Sequence, residues 1–320
     1  MKIMSNCSQD ELRKAAKALK EGHLVAFPTE TVYGLGADAT NEIAVSRIYS
    51  VKARPTDHPL IVHLLSINQL SIWARDIPNF ASKLAGNFWP GPMTLILRRN
   101  ESVKHFITGG QENVGLRIPS NPLALELLRE FEKLGGTGIA APSANRFGAV
   151  SPTTAEAVSE ELENYMGPSD LILNGGQSEV GIESTIIDCT GDQPVILRPG
   201  AVTIEMVEQV AGKVVKIDLF TNSIRVSGLL EKHYSPKAKV ILGKTAQPGD
   251  GFIALANIKT PKGVIRLAAP KTIEEYAKVF YIGLRMADQK GISSVTVHCP
   301  EGEGLAVAIR DRLNRAVMGK

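Results

Sequence analysis

The segment VKARPTDHPLIVH, residues 51–63, sets Lys52, Arg54, His58 and His63 around two prolines at the mouth of an apolar run. Cationic and imidazole groups are costly to bury unpaired, so a solvated loop edge or an anionic ligand must account for them. Two more arginines stand in a similar relation to proline: Arg117 two residues before Pro119, and Arg198 directly before Pro199. Proline cannot continue a central strand ladder. Arg117 and Arg198 therefore read as strand ends and Arg54 as a helix end, and open α/β sheets gather ligands where strands end. A guanidinium fork matches phosphate or carboxylate oxygens in pairs. Taken singly, each is a surface or salt-bridge arginine. Three with one placement point to an anionic site, to which Lys52 adds a point charge.

Polar groups of a second kind cluster elsewhere. PSAN, with Ser143 and Asn145, and Ser151 downstream offer hydroxyls and an amide between a strand and a helix. They serve turns and caps as readily as a ligand. Thr29, Thr31 and Tyr33 in PTETVYGLG leave the same two readings open. His63 inside LIVHL, taken alone, is a satisfied core histidine. Ser184 and Thr185 in GIESTIID sit at a strand start, where threonine is common on propensity alone. GLGADA (34–39), with Asp57 downstream, matches a dinucleotide fingerprint, but PTETVY separates it from the preceding strand and the required tight turn is lost. No P-loop, G-x-S-x-G or H-E-x-x-H occurs.

The elements that would hold these residues alternate between strand-length apolar runs and helical periods. Ser8 and Glu11 form a capping box before a helix closed by Gly22. HLVAF, LIVHL, MTLIL, VGLRIP, IAAPSAN, LILN, STIID and VILRPG read as strands. Helices are expected from Asn41 to Tyr49, from Asn121-Pro122 with Leu123, Leu127, Phe131 and Leu134 inward, and from Thr154 to Tyr165. After an aperiodic stretch, KVILG, GFIAL, VIRL and SVTVH with helices over 273–287 and 305–317 repeat the style. The expected organisation is α/β: residues 1–218 as a catalytic domain, 219–239 as a linker, and 240–320 as a small α/β domain.

A net charge of +3 permits nucleic-acid contact without arguing for it. Three scattered cysteines suggest neither a disulfide frame nor a zinc site. With no apolar stretch of signal-peptide or membrane-span type, a cytoplasmic protein with no membrane partner is expected.

In order, PTETVYGLG, KARPTDHPLIVH, VGLRIP, APSANRFGAVSPT, GIESTIID and VILRPG resemble the YrdC-type threonylcarbamoyl-adenylate synthases. HYSPKAK (233–239) resembles the linker motif of the longer, two-domain members. The resemblance implies a twisted open mixed sheet with helices plus a smaller Rossmann-like C-terminal domain. It also implies the reaction: L-threonine, bicarbonate and ATP give threonylcarbamoyl-adenylate, pyrophosphate and water. Downstream threonylcarbamoyl transferase proteins would carry the group to an adenosine beside a tRNA anticodon, with weak tRNA contact.

Residue by residue, the resemblance sets Lys52, Arg54, Ser143, Asn145, Ser151 and Arg198 at ATP, with His58 and Asn113 adjoining and Tyr234 reaching back from the linker. His58 stands where the family usually has Asn. Thr31, His63, Arg117, the backbone of Ala141, and Ser184 fall at threonine. Lys52 and Arg54 are the expected catalytic pair. No protein metal site is implied, and Mg²⁺ would accompany ATP. The linker, with Tyr234 and His233 in place of a Gly/Ser tether, is expected to close only over bound triphosphate, having little else to pack against. Two rivals remain. An RNA-binding module with a cationic concave face is weakened by 5% aromatic content. A carbamoyl-adenylate-forming maturation factor would carry C-x-x-C pairs, and none occurs.

Overall fold

The computed structural model describes residues 2–4, 8–213, 215–217, 224–228, 234–243 and 245–318. Cys7, Asp218, His233 and much of 219–239 lie outside the described residues.

Local chemistry sets the helix starts. Ser8 accepts from the Glu11 amide at 3.4 Å and opens α1 (Gln9–Lys20). Asn41 caps α2 (Glu42–Lys52), which runs three residues past the expected Tyr49 and so carries Lys52 on its last turn. Two short helices, α3 (Leu70–Trp73) and α5 (His105–Thr108), and α4 (Asn79–Phe88) lie in the stretch between. Asn121 and Pro122 open α6 (Pro122–Lys133) as expected. Leu134 departs from expectation: it falls at the C-cap, off the buried stripe, and is 48% exposed. Thr154 caps α7 (Ala155–Leu162), Thr203 caps α8 (Ile204–Ala211) and Thr272 caps α9 (Ile273–Gln289); α10 (Leu305–Val317) closes the chain.

The larger sheet joins β1 (Lys2–Met4), β2 (Val25–Phe27), β3 (Gly34–Asp38), β4 (Ile61–His63), β5 (Met93–Arg98), β6 (Asn113–Arg117), β7 (Ile139–Ala140), β8 (Leu171–Leu173), β9 (Thr185–Asp188), β10 (Val195–Arg198) and β11 (Lys216–Ile217). Their spatial order is β1-β8-β2-β3-β7-β4-β6-β5-β9-β10-β11, with parallel and antiparallel neighbours mixed. The glycines of GLGADA lie inside β3, antiparallel to β2, and shape no phosphate loop. The second sheet is all parallel, in the order β12 (Lys239–Leu242), β15 (Ser294–Val297), β13 (Gly251–Ile253), β14 (Ile265–Ala268), with α9 and α10 packed on it. Among the described residues, no helix is long and apolar enough to cross a membrane.

Register decides which face carries chemistry. His63 pairs with Arg117, Ile96 with Gly115, Thr94 with Ile186, and Arg198 with Ile186. Because side chains alternate, Ile61, His63, Asn113, Arg117, Thr94, Ile96, Ser184, Ile186 and Arg198 share one face. Val62, Leu95, Leu97, Leu116, Ile187 and Ile196 take the other and enter the main core, where Phe80, Ala81, Leu84 and Val207 of α4 and α8 cover them. One face is apolar and sealed, and the other is left for a ligand.

The second domain docks on that open face. Val32, Val150 and Ile182 are buried in its core cluster rather than in the larger one. Gly181, at φ +84°, permits the approach: a Cβ there would stand 2.5 Å from the Ala277 carbonyl oxygen of α9.

Candidate active site

Nine of the expected residues line one crevice: Thr31, Arg54, His63, Arg117, Ala141, Ser143, Ser184, Arg198 and Tyr234. Glu183, Thr29, Ser227 and Gly228 complete its wall. Lys52, Asn145 and Ser151 sit behind that lining, buried. His58 and Asn113 do not line it. His58 packs against Phe147, ring centroids 5.3 Å apart. Asn113 lines an adjoining apolar hollow with Ile61, Ile96 and Ile186, under Ile224–Ser227 of the linker.

Lys52 departs from the expected free point charge. Its ammonium donates to the Ser143 carbonyl at 2.6 Å and to the Asn145 carbonyl. Burial, then the Arg54 charge, pulls its pKa well below the lysine value. An ammonium has three donors, and two of them hold the loop that carries Ser143. Between Lys52 and Arg54, Ala53 adopts the left-handed conformation (φ 49°, ψ 42°), so successive residues diverge: Lys52 back to this loop, Arg54 forward. A non-glycine residue there costs on the order of 1 kcal/mol.

Among the described residues, no carboxylate pairs with Arg54. Its Nη2 donates to the Pro59 carbonyl and to Ser227 Oγ, each at 3.0 Å, and the guanidinium lies 5.8 Å from the Phe147 ring centroid. Burial lowers its pKa to about 10, leaving it charged at neutral pH. Arg198 donates from Nε to the Ser184 carbonyl (3.0 Å), from Nη2 to Ser184 Oγ (3.1 Å) and from Nη1 to the Ser227 carbonyl (2.7 Å). Ser227 thus bridges both arginines. The linker has protein partners of its own, contrary to expectation: Ile224 and Val226 pack with Ile61, Ile96, Ile186 and Leu197.

On the other side, Arg117 Nη2 lies 2.8 Å from Glu30 Oε1, and both residues are nearly fully buried. His63 is buried edge-on to Phe27, ring centroids 5.7 Å apart. Burial, then Arg117, drives its pKa down to about 3, so the ring is neutral. Thr29 Oγ1 and Thr31 Oγ1 are 2.8 Å apart, and Thr29 donates to the Val32 carbonyl. Ser184 Oγ lies 2.8 Å from Thr94 Oγ1. Among the described residues, Arg54 Nε, His63 Nδ1, Arg117 Nε and Asn145 Oδ1 are buried without a hydrogen bond. Such atoms are rare in folded proteins and ask for a polar ligand.

Glu183 is the residue that the sequence reading passed over, although it stands in the quoted GIESTIID. It accepts from Ser151 Oγ at 2.6 Å and from Tyr281 and Arg312 of the second domain, each at 2.9 Å. Its signal was an acid among hydroxyls at the start of a buried strand. For Arg312 the signal was a charge one helical turn from Ile309 and Ala316, on the apolar stripe of the last helix.

A mixed sheet with one face under helices, the other bearing inward arginines, and a second parallel domain docked over them defines an α/β protein built to enclose an anionic ligand. A family model for Sua5, YciO and YrdC proteins, described as telomere recombination, matches residues 17–200. A second, described as threonylcarbamoyl-AMP synthase, C-terminal domain, matches residues 202–317. The threonylcarbamoyl-AMP synthase of Pyrococcus abyssi is 39% identical over 96% of this chain and 94% of its own. That of Bacillus subtilis is 37% identical over 97% and 94%. The crystal structure of P. abyssi Sua5 complexed with L-threonine is similar with a TM-score of 0.89 and 36% identity, covering 99% of this chain and 98% of that one. The chain belongs to the two-domain, YrdC-type Sua5 family of threonylcarbamoyl-AMP synthases, enzymes of nucleotidyltransferase type.

Proposed function

We propose that the crevice condenses L-threonine, bicarbonate and ATP into threonylcarbamoyl-adenylate and pyrophosphate, with water as the remaining product. The observation that carries this is the pairing of two unlike halves in one crevice. Arg54 and Arg198, with no carboxylate on Arg54 among the described residues, suit phosphate oxygens; neutral His63 beside Arg117 suits a small amino acid.

In this reading the threonine carboxylate takes the edge of Arg117 that bears Nε. The amine adds to the bicarbonate carbon with loss of water, giving a carbamate. A carbamate oxygen then attacks the α-phosphorus, and the bond to pyrophosphate breaks. No covalent enzyme intermediate is needed, so positioning and charge stabilisation supply the acceleration. Lys52 acts by shaping the Ser143–Asn145 loop, and Arg54 and Arg198 meet the phosphate charge. Mg²⁺ would arrive on the triphosphate oxygens and keep water ligands. The described residues form no cluster of three His, Cys, Asp or Glu side chains able to hold a metal.

Residues 1–218 would carry the reaction and 219–239 would strap the crevice, with 240–320 as the second domain. A cytoplasmic location, hand-over to downstream transferases that modify tRNA, and weak contact with tRNA belong to the same reading. The test is pyrophosphate release from ATP by the purified chain. It should require threonine and bicarbonate together, and serine should be poorer by roughly 10–200-fold, the worth of one methyl. Equal release without an amino acid would assign the site to plain nucleotide hydrolysis.

A further inference from the structure

We infer that Arg312 and Tyr281 of the second domain are positioning residues for the crevice, fixing Ser151 through Glu183 and bracketing the ring of Tyr234 directly. The nucleotide half of the site, so named on the reading above, is then assembled only by both domains together.

Glu183 is 5% exposed, and its carboxylate accepts from groups of both domains. Oε1 accepts from Ser151 (2.6 Å), Oε2 accepts from Arg312 (2.9 Å), and the single Tyr281 O–H points between them, 2.9 Å from Oε2 and 3.2 Å from Oε1. Arg312, fully buried, spends its other donors on the Pro199 carbonyl at 3.0 Å, next to Arg198, and on Asp311 at 2.6 Å. The Tyr234 ring is bracketed by the same pair: stacked on Tyr281 with centroids 5.7 Å apart, and 5.4 Å from the Arg312 guanidinium. Tyr234 is held there in a left-handed backbone conformation, φ 62°. Ser151 closes the loop that receives the linker, where the Ser235 amide donates to the Gly148 carbonyl at 3.0 Å.

Mere adhesion between domains does not require this arrangement. The Val32, Val150 and Ile182 contacts already supply apolar docking. Replacing a buried ion pair by apolar groups is often neutral or stabilising. An ion pair retained at the crevice wall, with three donors from separate elements converging on one carboxylate, instead fixes geometry. Burial alone would raise the Glu183 pKa, but the Arg312 and then the Arg198 charge outweigh it, so the carboxylate stays ionised.

The experiment uses the full chain with Tyr281→Phe, Arg312→Met and, as a stability control, Val295→Ala in the core of the second sheet. Two readouts are taken: KM for ATP and for threonine in pyrophosphate release, and amide exchange at residues 148–151 and Ser235. Tyr281→Phe should raise KM for ATP roughly tenfold, the worth of one charge-assisted hydrogen bond. KM for threonine should stay within about twofold. Arg312→Met should lower kcat/KM for ATP by about 100-fold or more, since it leaves a buried carboxylate unpaired. Both variants should speed exchange at 148–151 and Ser235, whereas Val295→Ala should lower the unfolding temperature and move neither readout. If the two variants match Val295→Ala in both readouts, the inference falls, while threonine-dependent turnover by the unaltered chain keeps the reaction assignment. If the unaltered chain has no such turnover, the assignment falls and exchange decides alone: faster exchange upholds the positioning role and unchanged exchange overturns it.

Discussion

The Lys52 ammonium lies 2.6 Å from the Ser143 carbonyl oxygen and is 1% exposed, with no carboxylate of the described residues in hydrogen-bond reach. Its removal therefore subtracts a desolvated charge and also leaves two carbonyl oxygens unpaired. These effects oppose one another at about 1–3 kcal/mol each. Lys52→Met should accordingly unfold within about 5 °C of the parent without ligand, while ATP-dependent turnover falls at least 100-fold because the Ser143 loop is no longer held. A large drop in unfolding temperature would make Lys52 a structural residue first.

Arg54 offers the cleaner separation of binding from folding. Its hydrogen-bond partners among the described residues are a carbonyl and a hydroxyl, so Arg54→Ala strands no buried carboxylate among them. Stability should change by about 1 kcal/mol or less, and turnover should be lost. Arg54→Lys should recover little, because a point charge replaces a fork. The check is thermal unfolding beside steady-state rates. Substantial activity in Arg54→Lys would show that charge alone suffices.

His63 predicts a pH dependence with a definite sign. Above about pH 6.5, its ordinary value, neither the folded nor the unfolded chain protonates it, and it contributes no slope. Below that, the unfolded chain binds a proton that the folded one refuses until about pH 3, so stability falls as pH falls. Between pH 7.5 and 5 the parent should lose about 2 kcal/mol more than His63→Gln. Denaturant titrations at the two pH values measure it, and parallel losses would place the proton elsewhere.

Removal of everything after residue 218 should not leave a well-behaved domain. Val32, Val150 and Ile182 lose their cover, and Glu183 loses Arg312 and Tyr281. The fragment should bind a hydrophobic dye and self-associate, as exposed apolar patches do. A monodisperse, dye-negative fragment with full activity would make the second domain dispensable.

What could be read in the chain beforehand was what backbone punctuation betrays. Proline closes β6 and β10 just after Arg117 and Arg198, so those arginines announced themselves as strand ends. Asn121 with Pro122 announced α6. The two- and three-residue strands β11 and β1 are too short to show a period. Glu183 escaped because its meaning lies in Tyr281 and Arg312, close in space and far along the chain, and no local pattern connects them. The linker was misjudged because its partners, Ile61, Ile96 and Ile186, come from three strands whose common face only the register reveals.

The pairing of β1 with β8 also sets a timetable. Lys2–Met4 is aligned with Leu171–Leu173, more than half the chain further on. At cellular synthesis rates that interval is roughly 10–30 s. β1 therefore waits for its partner over that interval, and its place in the sheet is settled only after the strands bearing His63 and Arg117 have emerged.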